Sequence, residues 1–243
     1  MRLMSYNVQT GTPTPTRAAQ MLNNILTFDA DIVGTQEVNA RWLCIFKGTG
    51  ILDKYEYVGN PRGKEDDVSN GNEYSGILFK KDMFRLIDSG TLWLSDTPHE
   101  ISRIPGCAYT RIMTYALLER KSDGKRLLHV NSHLDYEFPA NTEHNKILLK
   151  LTKSLGYEGV PTIYTGDFNM TPDCEGYEIM QKEGGTTDAK KLAKQVRENT
   201  TCGDTVIDFC FLSNGDFQVE SYDVHETEGS DHNPLHIVFD FAK

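Results

Sequence analysis

The sequence lacks the features of a disulfide-stabilised, zinc-stabilised or membrane-spanning protein. Its five cysteines are odd in number and include no C-x-x-C pair, so neither a disulfide framework nor a structural zinc site is expected, and a reducing compartment fits best. No apolar run approaches the ~20 residues that cross a bilayer. The amino-terminal stretch MRLMSYNVQTG resembles a strand and lacks the apolar core of a signal peptide. We therefore expect a cytoplasmic location, unless a signal peptide has been removed from the chain.

Positive charge is also scarce. The 243 residues include 25 Lys and Arg against 35 Asp and Glu, which gives a net charge of −10. This balance argues against a protein whose affinity depends on broad neutralisation of a nucleic-acid backbone. It leaves room for a local basic patch, or for a bound metal ion that supplies positive charge at one site.

Internal repeats, low-complexity tracts and Pro/Gly/Ser-rich linkers are absent as well. A single domain over residues 1–243 is therefore expected. Hydrophobic residues make up 38% and charged residues 25% of the chain, which is the composition of an ordinary globular protein.

Hydrophobic patterning predicts strands that alternate with helices, and a strand-rich middle. The stretch LLERKSDGKRLLHV predicts a hairpin that turns at Asp123-Gly124. The other predicted strands cover residues 2–8, 31–38, 54–59, 73–81, 84–95, 160–166, 206–212, 217–224 and 235–240. The predicted helices cover residues 14–28 with a Thr16 cap, 40–48, 142–156 with Gly156 at the end, 174–183 and 187–198. The economical architecture is two packed sheets with helices on their outer faces.

Polar residues lie at the ends of many predicted strands. Because the strand ends of a layered sheet meet at one edge, groups that are far apart in the sequence can share one cleft. Taken singly, each residue has an ordinary structural explanation, such as a turn, a helix start, a cap or a buried histidine. Independent turns would not be expected to produce the whole set. Its members are Asn7, Glu37, His133, Asp167, Asn169, Asp208, Asp231 and His232.

Part of this set suits a divalent cation. Glu37, Asp231 and the amide oxygen of Asn7 are oxygen ligands, which hard cations prefer to thiolates. A bound cation would stabilise the extra negative charge that develops when a phosphate ester is hydrolysed. This group of residues therefore predicts the metal end of a phosphoesterase site.

The remaining residues suit the reacting phosphate and water. Asn169 and His133 can donate hydrogen bonds to the transition state. A histidine paired with a carboxylate, such as His232 with Asp208, is the usual means of orienting water and partly deprotonating it. The residues alone thus predict the hydrolysis of a phosphate ester.

Six motifs carry a resemblance to a known family. SYNV, TQEV, NSHLD, GDFN, VIDFCFL and SDHNPL, in this order and at these separations, resemble the endonuclease/exonuclease/phosphatase superfamily, the metal-dependent phosphoesterase fold of pancreatic-type deoxyribonuclease. The resemblance runs from Met1 to about Phe239, and GTLWLSDTP with YTRIMTYALLE resembles a branch of small bacterial members. It implies an α/β fold, a four-layered α/β sandwich with two central mixed β-sheets flanked by helices. It also implies a Mg²⁺-dependent phosphate-ester hydrolase, with Mn²⁺ as an alternative ion.

At the metal end, the resemblance implies that Glu37 is the main Mg²⁺ ligand, with Asn7 and Asp231 close by. One position departs from the family pattern. Many nuclease members have an acidic residue two positions after the strand-end asparagine, where this chain has Gln9. The missing carboxylate weakens a two-metal interpretation.

At the phosphate end, the resemblance implies that Asp167 orients or deprotonates the attacking water and that Asn169 donates to a phosphoryl oxygen. His133 and His232 would flank the scissile phosphate, and Asp208 would hold His232. Water activation therefore has two candidates at this stage, the His232–Asp208 pair from the residues alone and Asp167 from the resemblance.

The substrate is less constrained. Arg111 and Tyr109 occupy positions where the family often contacts the phosphate, but the other basic residues are scattered and form no stripe interleaved with aromatics. We expect a phosphodiesterase that acts on a small or single-stranded substrate, with duplex DNA not favoured. A DNA endonuclease or exonuclease and a catalytically silent binding member of the fold are the alternatives. The Gly-rich segment 60–75 is either a mobile loop at the cleft mouth or a plain surface loop.

Overall fold

Two mixed β-sheets, of seven and six strands, form the centre of the protein in a computed structural model that describes residues 1–242. The strands are β1 (Arg2–Asn7), β2 (Ile32–Gln36), β3 (Tyr55–Val58), β4 (Ile77–Lys80), β5 (Phe84–Trp93), β6 (Ile112–Arg120), β7 (Arg126–His133), β8 (Thr162–Asp167), β9 (Thr186–Asp188), β10 (Ala193–Arg197), β11 (Asp208–Ser213), β12 (Phe217–Val224) and β13 (Leu235–Phe241). The helices are α1 (Pro15–Phe28), α2 (Ala40–Gly48), α3 (Ile51–Lys54), α4 (Ala140–Ser154), α5 (Glu175–Lys182) and α6 (Ala189–Leu192). None of these helices has the length and apolar character that crossing a membrane requires.

The strand order brings several strand ends to the same edge of the protein. The seven-stranded sheet has the order β10-β12-β13-β1-β2-β4-β3, and the six-stranded sheet has the order β5-β6-β7-β8-β11-β9. β1 runs parallel to β2, and β7 runs parallel to β8, so their carboxyl ends lie side by side. β11 is antiparallel to β8, and its first residue, Asp208, pairs with the last residue of β8, Asp167.

Alternation along the strands separates an inner face from an outer face in each sheet. Leu3 of β1 packs into the core between the sheets, whereas Met4 and Tyr6 pack against α1 and α2. In the other sheet, Leu127 faces the inner core and Leu128 packs beneath α4 and α5. The result is helices, sheet, sheet and helices, which confirms the four-layered α/β sandwich expected from the sequence.

The helices begin where local capping predicts them. Thr14 Oγ1 accepts a hydrogen bond from the backbone N–H of Arg17 at 3.2 Å, and Pro15 follows at the first helical position. The expected cap, Thr16, lies inside α1 instead. Asn39 caps α2, which spans the predicted residues 40–48.

One predicted helix is wrong. Residues 187–198 do not form a polar helix, because only the short α6 is helical and Ala193–Arg197 continue as β10. β10 extends the seven-stranded sheet by pairing in parallel with β12. Ala189, Leu192, Ala193 and Val196 have helical spacing, but the segment is short and mostly polar, so its helical preference is weak and pairing with the sheet edge overrides it.

The inner face changes from apolar to polar along the strands that lead to the shared edge. In β1 the inward positions are occupied in turn by Leu3, Ser5 and Asn7. In β8 the corresponding residues are Ile163, Thr165 and Asp167. The core between the sheets thus passes directly into a polar site, with no intervening loop.

Buried hydrogen bonds join the two sheets just beneath this polar end. Gln36 Nε2 donates to Asn131 Oδ1 at 2.7 Å, and Asn131 Nδ2 donates to the carbonyls of Thr35 at 2.8 Å and Gly76 at 3.0 Å. These hydrogen bonds all run from one sheet to the other, so the network sets how the sheets sit relative to each other.

Gly34 marks the closest approach of the sheets at this level. A Cβ at Gly34 would lie 2.2 Å from Thr165 Oγ1 and 2.6 Å from Asn131 Oδ1. We expect Gly34→Ala to lower the free energy of unfolding by about 1–3 kcal/mol, because the network must shift to make room. Gly48→Ala is the control, since a Cβ there meets nothing within 4 Å. Urea denaturation of both variants tests this, and equal stability would contradict the close approach.

His129, a neighbour of this network, makes the stability of the protein depend on pH. It is fully buried, its Nε2 lies 2.7 Å from Thr165 Oγ1, and burial lowers its pKa to about 3. Because the unfolded chain takes up a proton near pH 6.5 and the folded chain does not, stability is complete above that pH and falls below it. We expect the buried, neutral His129 to lower the free energy of unfolding by about 1.4 kcal/mol at pH 5.5, relative to its value above pH 6.5. The decline between pH 6.5 and 4 should be shallower in His129→Gln, and parallel curves would exclude this contribution.

Candidate active site

The polar edge brings together side chains from both sheets. Asn7 ends β1 and Glu37 follows β2, while His133 ends β7, Asp167 ends β8 and Asp208 begins β11. Asn7, His133, Asp167 and Asp208 are buried, and Glu37 is partly exposed. The predicted convergence of these strand ends is what the structure shows.

A single oxygen lies at the centre of the site. Asp167 Oδ2 accepts a hydrogen bond from Asn7 Nδ2 at 2.9 Å, and it lies 3.5 Å from His133 Nε2 and 3.7 Å from His232 Nε2. Asn7 Nδ2 also donates to Glu37 Oε1 at 3.0 Å. One amide group therefore connects the two carboxylates, one from each sheet.

Asp167 is held in an environment that favours its protonated form more than water does. Burial and then the nearby carboxylate of Asp208 raise its pKa, against the opposing effects of His232 and of the hydrogen bonds from Asn7 and the backbone of Asn169. A carboxylate with a raised pKa is a better proton acceptor, which is the property required of a general base.

Two of these side chains stand on unusual backbone. Glu37 has a φ of 61° and Asn169 has a φ of 48°, a region that residues other than glycine seldom adopt. Each turn points its side chain back towards the end of the sheet that it has just left. A glycine is needed at position 166, just before Asp167, for a different reason, since a Cβ there would lie 2.2 Å from the carbonyl oxygen of Ser132 on β7. Such strain is commonly found at functional sites.

His232 is tied to Asp208. Its Nδ1 lies 2.9 Å from Asp208 Oδ2, which leaves Nε2 facing Asp167. Burial alone would lower the pKa of His232, but the carboxylates of Asp208, Asp167 and Asp231 outweigh burial and raise it to about 9. His232 is therefore a cation at neutral pH, with a proton on Nε2.

His133 has the opposite character. Burial and the positive charges of Arg111, Arg62 and His232 lower its pKa well below the ordinary value, so it is neutral. Asn169 Nδ2 lies 3.1 Å from His133 Nε2 and donates to the Leu134 carbonyl at 3.0 Å.

Glu73 is a site residue that the sequence did not reveal. It is buried, its Oε2 lies 4.0 Å from His133 Nδ1, and it pairs with Arg62 at 2.9 Å. Burial raises its pKa to about 7, with Arg62 opposing and Glu37 adding to the effect. It comes from segment 60–75, whose polar, Gly-rich composition gave no sign of a buried acid. The segment is thus neither a plain surface loop nor separate from the cleft, since it places a buried carboxyl group beside His133.

Arg111 lies where a phosphate contact was predicted. Its guanidinium is buried, faces Asp135 with 3.7 Å between Nε and Oδ2, and has no hydrogen-bond partner for Nε among residues 1–242. A buried cation with an unused donor is suited to an anion. Tyr109 stands further out, with its ring 5.3 Å from the Arg111 guanidinium and 44% of its surface exposed.

The donor atoms at the centre of the site fit a divalent cation. Potential ligand atoms of Glu37, His133 and Asp167 all lie within 4.8 Å of one another. Each Glu37 oxygen accepts only one hydrogen bond, from Asn7 Nδ2 and from the backbone of Thr10, so lone pairs remain. Carboxylate oxygens are the ligands that Mg²⁺ and Mn²⁺ prefer.

Two predicted metal ligands are placed differently from expectation. Asn7 presents its nitrogen to the carboxylates, because its Oδ1 accepts the backbone N–H of Gln9 at 3.0 Å. Asp231 is exposed and belongs to neither group of potential ligands around Asp167 in residues 1–242, although its charge acts on the neighbouring His232. Their roles as metal ligands stay predictions.

Comparison with known proteins identifies the family. The sequence matches the model of the Endonuclease/Exonuclease/phosphatase family over residues 4–232. No match was found among curated proteins. A solved endonuclease/exonuclease/phosphatase structure from Bacteroides vulgatus is 27% identical, with a TM-score of 0.86 over 99% of this chain and 98% of that chain. A Bacteroides thetaiotaomicron mannosyl-6-phosphatase is 25% identical, with a TM-score of 0.86 over 99% of this chain and 100% of that chain.

A more distant structure shows the fold alone. The catalytic domain of human Nocturnin, solved with a bound sulfate anion, is 20% identical and has a TM-score of 0.83 over 100% of this chain and 94% of that chain. The family match covers nearly the whole chain and agrees with the two-sheet architecture. The protein therefore belongs to the endonuclease/exonuclease/phosphatase family, whose members hydrolyse phosphate esters.

Proposed function

We propose that the protein is a divalent-metal-dependent hydrolase of small phosphate esters. One observation carries this proposal: a buried carboxylate, Asp167, faces a cationic histidine and a neutral histidine on one side and the Glu37 carboxylate on the other. This arrangement offers a base, a proton donor and oxygen ligands around one small volume. A cytoplasmic location and a single-domain chain stay predictions.

The expected protonation states support one residue as the acid and another as the base. Asp167 would accept a proton from water while the water oxygen forms a bond to phosphorus. The bond between phosphorus and the leaving oxygen breaks, and His232 would supply the proton for that oxygen from Nε2. A pKa of about 9 makes His232 a poor base at neutral pH, which favours Asp167 over the His232–Asp208 pair as the group that activates water.

The other side chains would bind and orient the phosphate. The donors would be the amide of Asn169, which lies 3.1 Å from His133 Nε2, and the guanidinium of Arg111, whose charge acts on His133. Glu37 would hold the metal ion, with Asp167 or Asn7 nearby. A bound Mg²⁺ or Mn²⁺ supplies a positive charge that stabilises the negative oxygens of the transition state.

The substrate that we expect is small. A net charge of −10 does not favour a long polyanion such as duplex DNA, so the nuclease alternative has less support. The sequence predicts a phosphodiester. A phosphomonoester is the second candidate, because the mannosyl-6-phosphatase at 25% identity shares the fold over the full length of both chains.

Replacing the proposed base or acid should abolish most of the activity. We expect Asp167→Asn and His232→Ala each to lower kcat by about 10²–10⁴-fold, the usual contribution of general acid–base catalysis. The measurement is Mg²⁺-dependent release of p-nitrophenol from bis-p-nitrophenyl phosphate and from p-nitrophenyl phosphate. The two substrates separate a diesterase from a monoesterase.

Asp82→Asn is the matched control, because Asp82 is exposed and follows β4 at the opposite end of the sheets. It should retain wild-type turnover. A wild-type protein that is inactive on both esters with Mg²⁺ and with Mn²⁺ would support the catalytically silent alternative. Active Asp167→Asn and His232→Ala variants would place the site elsewhere.

Glu37 should determine how tightly the metal binds. We expect Glu37→Gln to weaken Mg²⁺ and Mn²⁺ binding by at least about tenfold, since removing a carboxylate ligand removes both charge and an oxygen donor. Calorimetric titration of the metal into the protein measures this without any substrate. Glu183→Gln, at the exposed end of α5, is the control and should bind like wild type. Equal affinity in all three proteins would remove Glu37 from the metal site.

A further inference from the structure

The exposed aromatic side chains of the protein are concentrated at one place. Among residues 1–242, the aromatic side chains that are strongly exposed are Tyr109, Tyr136 and Phe138, with exposed fractions of 44%, 49% and 52%. Tyr109 lies two residues before Arg111, and the other two follow His133 within five residues. All three therefore belong to segments that lead directly into the active site, and an exposed apolar cluster of this kind usually marks a binding surface.

Tyr109 and Tyr136 form a defined pair. Their ring centroids are 6.2 Å apart and their planes are inclined by 66°, an edge-to-face arrangement. The guanidinium groups of Arg62 and Arg111 lie 4.7 Å and 5.3 Å from the centre of the Tyr109 ring. Such cation–π contacts restrain the ring, so Tyr109 offers a fixed surface although it is nearly half exposed.

A buried carboxylate holds both tyrosine segments together. Asp135 Oδ2 accepts the backbone N–H of Tyr109 at 3.0 Å, and Asp135 Oδ1 accepts the backbone N–H of Glu137 at 3.0 Å. The Asp135 side chain has no exposed surface and also faces the Arg111 guanidinium. Asp135 therefore holds the backbone of Tyr109 and of Glu137, the residue next to Tyr136. The two rings are positioned before a ligand binds.

The same pair is joined to the reacting groups. Arg62, beneath Tyr109, pairs with Glu73, whose carboxylate lies 4.0 Å from His133 Nδ1. Asn141 Nδ2 donates to the Asp135 carbonyl at 2.6 Å and to the Phe168 carbonyl at 2.7 Å, beside the catalytic Asp167. The ring pair is thus connected to His133 through Arg62 and Glu73, and to the segment of Asp167 through Asn141.

We propose that Tyr109 and Tyr136 form a subsite, called here the ring subsite, for the sugar ring of a sugar phosphate. The proposal rests on the proposed phosphoesterase function and names its substrate class. With the phosphate held between His133, Asn169 and His232, an ester oxygen on an exocyclic carbon would direct the sugar ring outward, towards these tyrosines. The apolar C–H face of the sugar would pack on an aromatic face, as aromatic side chains in ligand sites allow.

The geometry favours a sugar over a nucleobase. A base is typically held by stacking on flat aromatic faces, but these two rings meet edge to face and offer no parallel pair. A groove of about 590 Å³ beside Tyr109 is lined by hydroxyl, amide and carboxylate side chains together with two guanidinium groups. They are Ser69, Ser102, Thr110, Asn72 and Asp67, with Arg62 and Arg103. The hydroxyl, amide and carboxylate groups complement a ring that carries several hydroxyls.

The test compares substrates with and without a ring. Mg²⁺-dependent phosphate release is measured on glucose 6-phosphate, mannose 6-phosphate, adenosine monophosphate and ethyl phosphate. We expect kcat/KM for at least one hexose phosphate to exceed that for ethyl phosphate by about tenfold or more in the wild type. Tyr136→Ala should lower this ratio by about tenfold, whereas Tyr136→Phe, which keeps the ring, should preserve it.

Controls separate the subsite from folding and from catalysis. Tyr136 is exposed, so Tyr136→Ala should keep the thermal midpoint of the wild type, and Ile87→Ala, an exposed apolar residue on β5, should change neither stability nor the substrate ratio. If no ester is hydrolysed, including bis-p-nitrophenyl phosphate, the proposed function fails. Activity on bis-p-nitrophenyl phosphate with none on the hexose phosphates would overturn the ring subsite alone.

Two other results would also overturn the assignment. An unchanged ratio in Tyr136→Ala would show that the aromatic pair does not bind the leaving group. A preference for adenosine monophosphate that Tyr136→Ala abolishes would assign the pair to a nucleobase instead of a sugar.

Discussion

The hydrogen bonds from Asn7 to Asp167 and Glu37 are the interaction on which the site depends. The bond to Asp167 crosses the gap between the sheets at the point where the core ends, and the bond to Glu37 lies within the seven-stranded sheet, so the two halves of the site are held at a fixed separation. Removing the Asn7 amide would leave buried acceptors with fewer partners and would lower the free energy of unfolding by about 1–3 kcal/mol. The hydrogen bonds of Gln36 and Asn131, which lie just inside the site, also hold the two sheets at this separation.

The surroundings of the two histidines explain why they differ. The carboxylates of Asp208 and Asp167 raise the pKa of His232 and hold it as a cation, whereas burial and the positive charges of Arg111 and Arg62 lower the pKa of His133, which stays neutral. The same imidazole group thus performs different roles because of the charges that surround it. The sequence shows two histidines near acidic residues and gives no sign of which one carries the charge.

The central strands of the site could be predicted because the period of a strand is visible in the sequence. Asn7, His133 and Asp167 continue an inward-facing series that begins with apolar core residues, so a reader who follows that alternation finds them. Glu73 and Asp135 could not be found in this way. Their burial is created by contacts between segments, Glu73 with Arg62 and Asp135 with the backbone of Tyr109. The prediction of a helix over residues 187–198 was wrong for a related reason, because pairing with the edge of the sheet determines the conformation there.

The proposed catalytic groups and the proposed substrate-binding groups lie on different parts of the fold. The groups that we propose to act on phosphorus stand at the ends of core strands, where any shift would disturb the packing between the sheets. The groups that we propose to surround the rest of the substrate, among them Tyr109 and Tyr136, stand on connecting segments that are tied to the core by single buried carboxylates or amides. Such segments can change length and composition while the catalytic centre stays intact. A chain that shares about a quarter of its residues with its relatives can therefore retain their phosphate chemistry and select a different molecule by means of these segments.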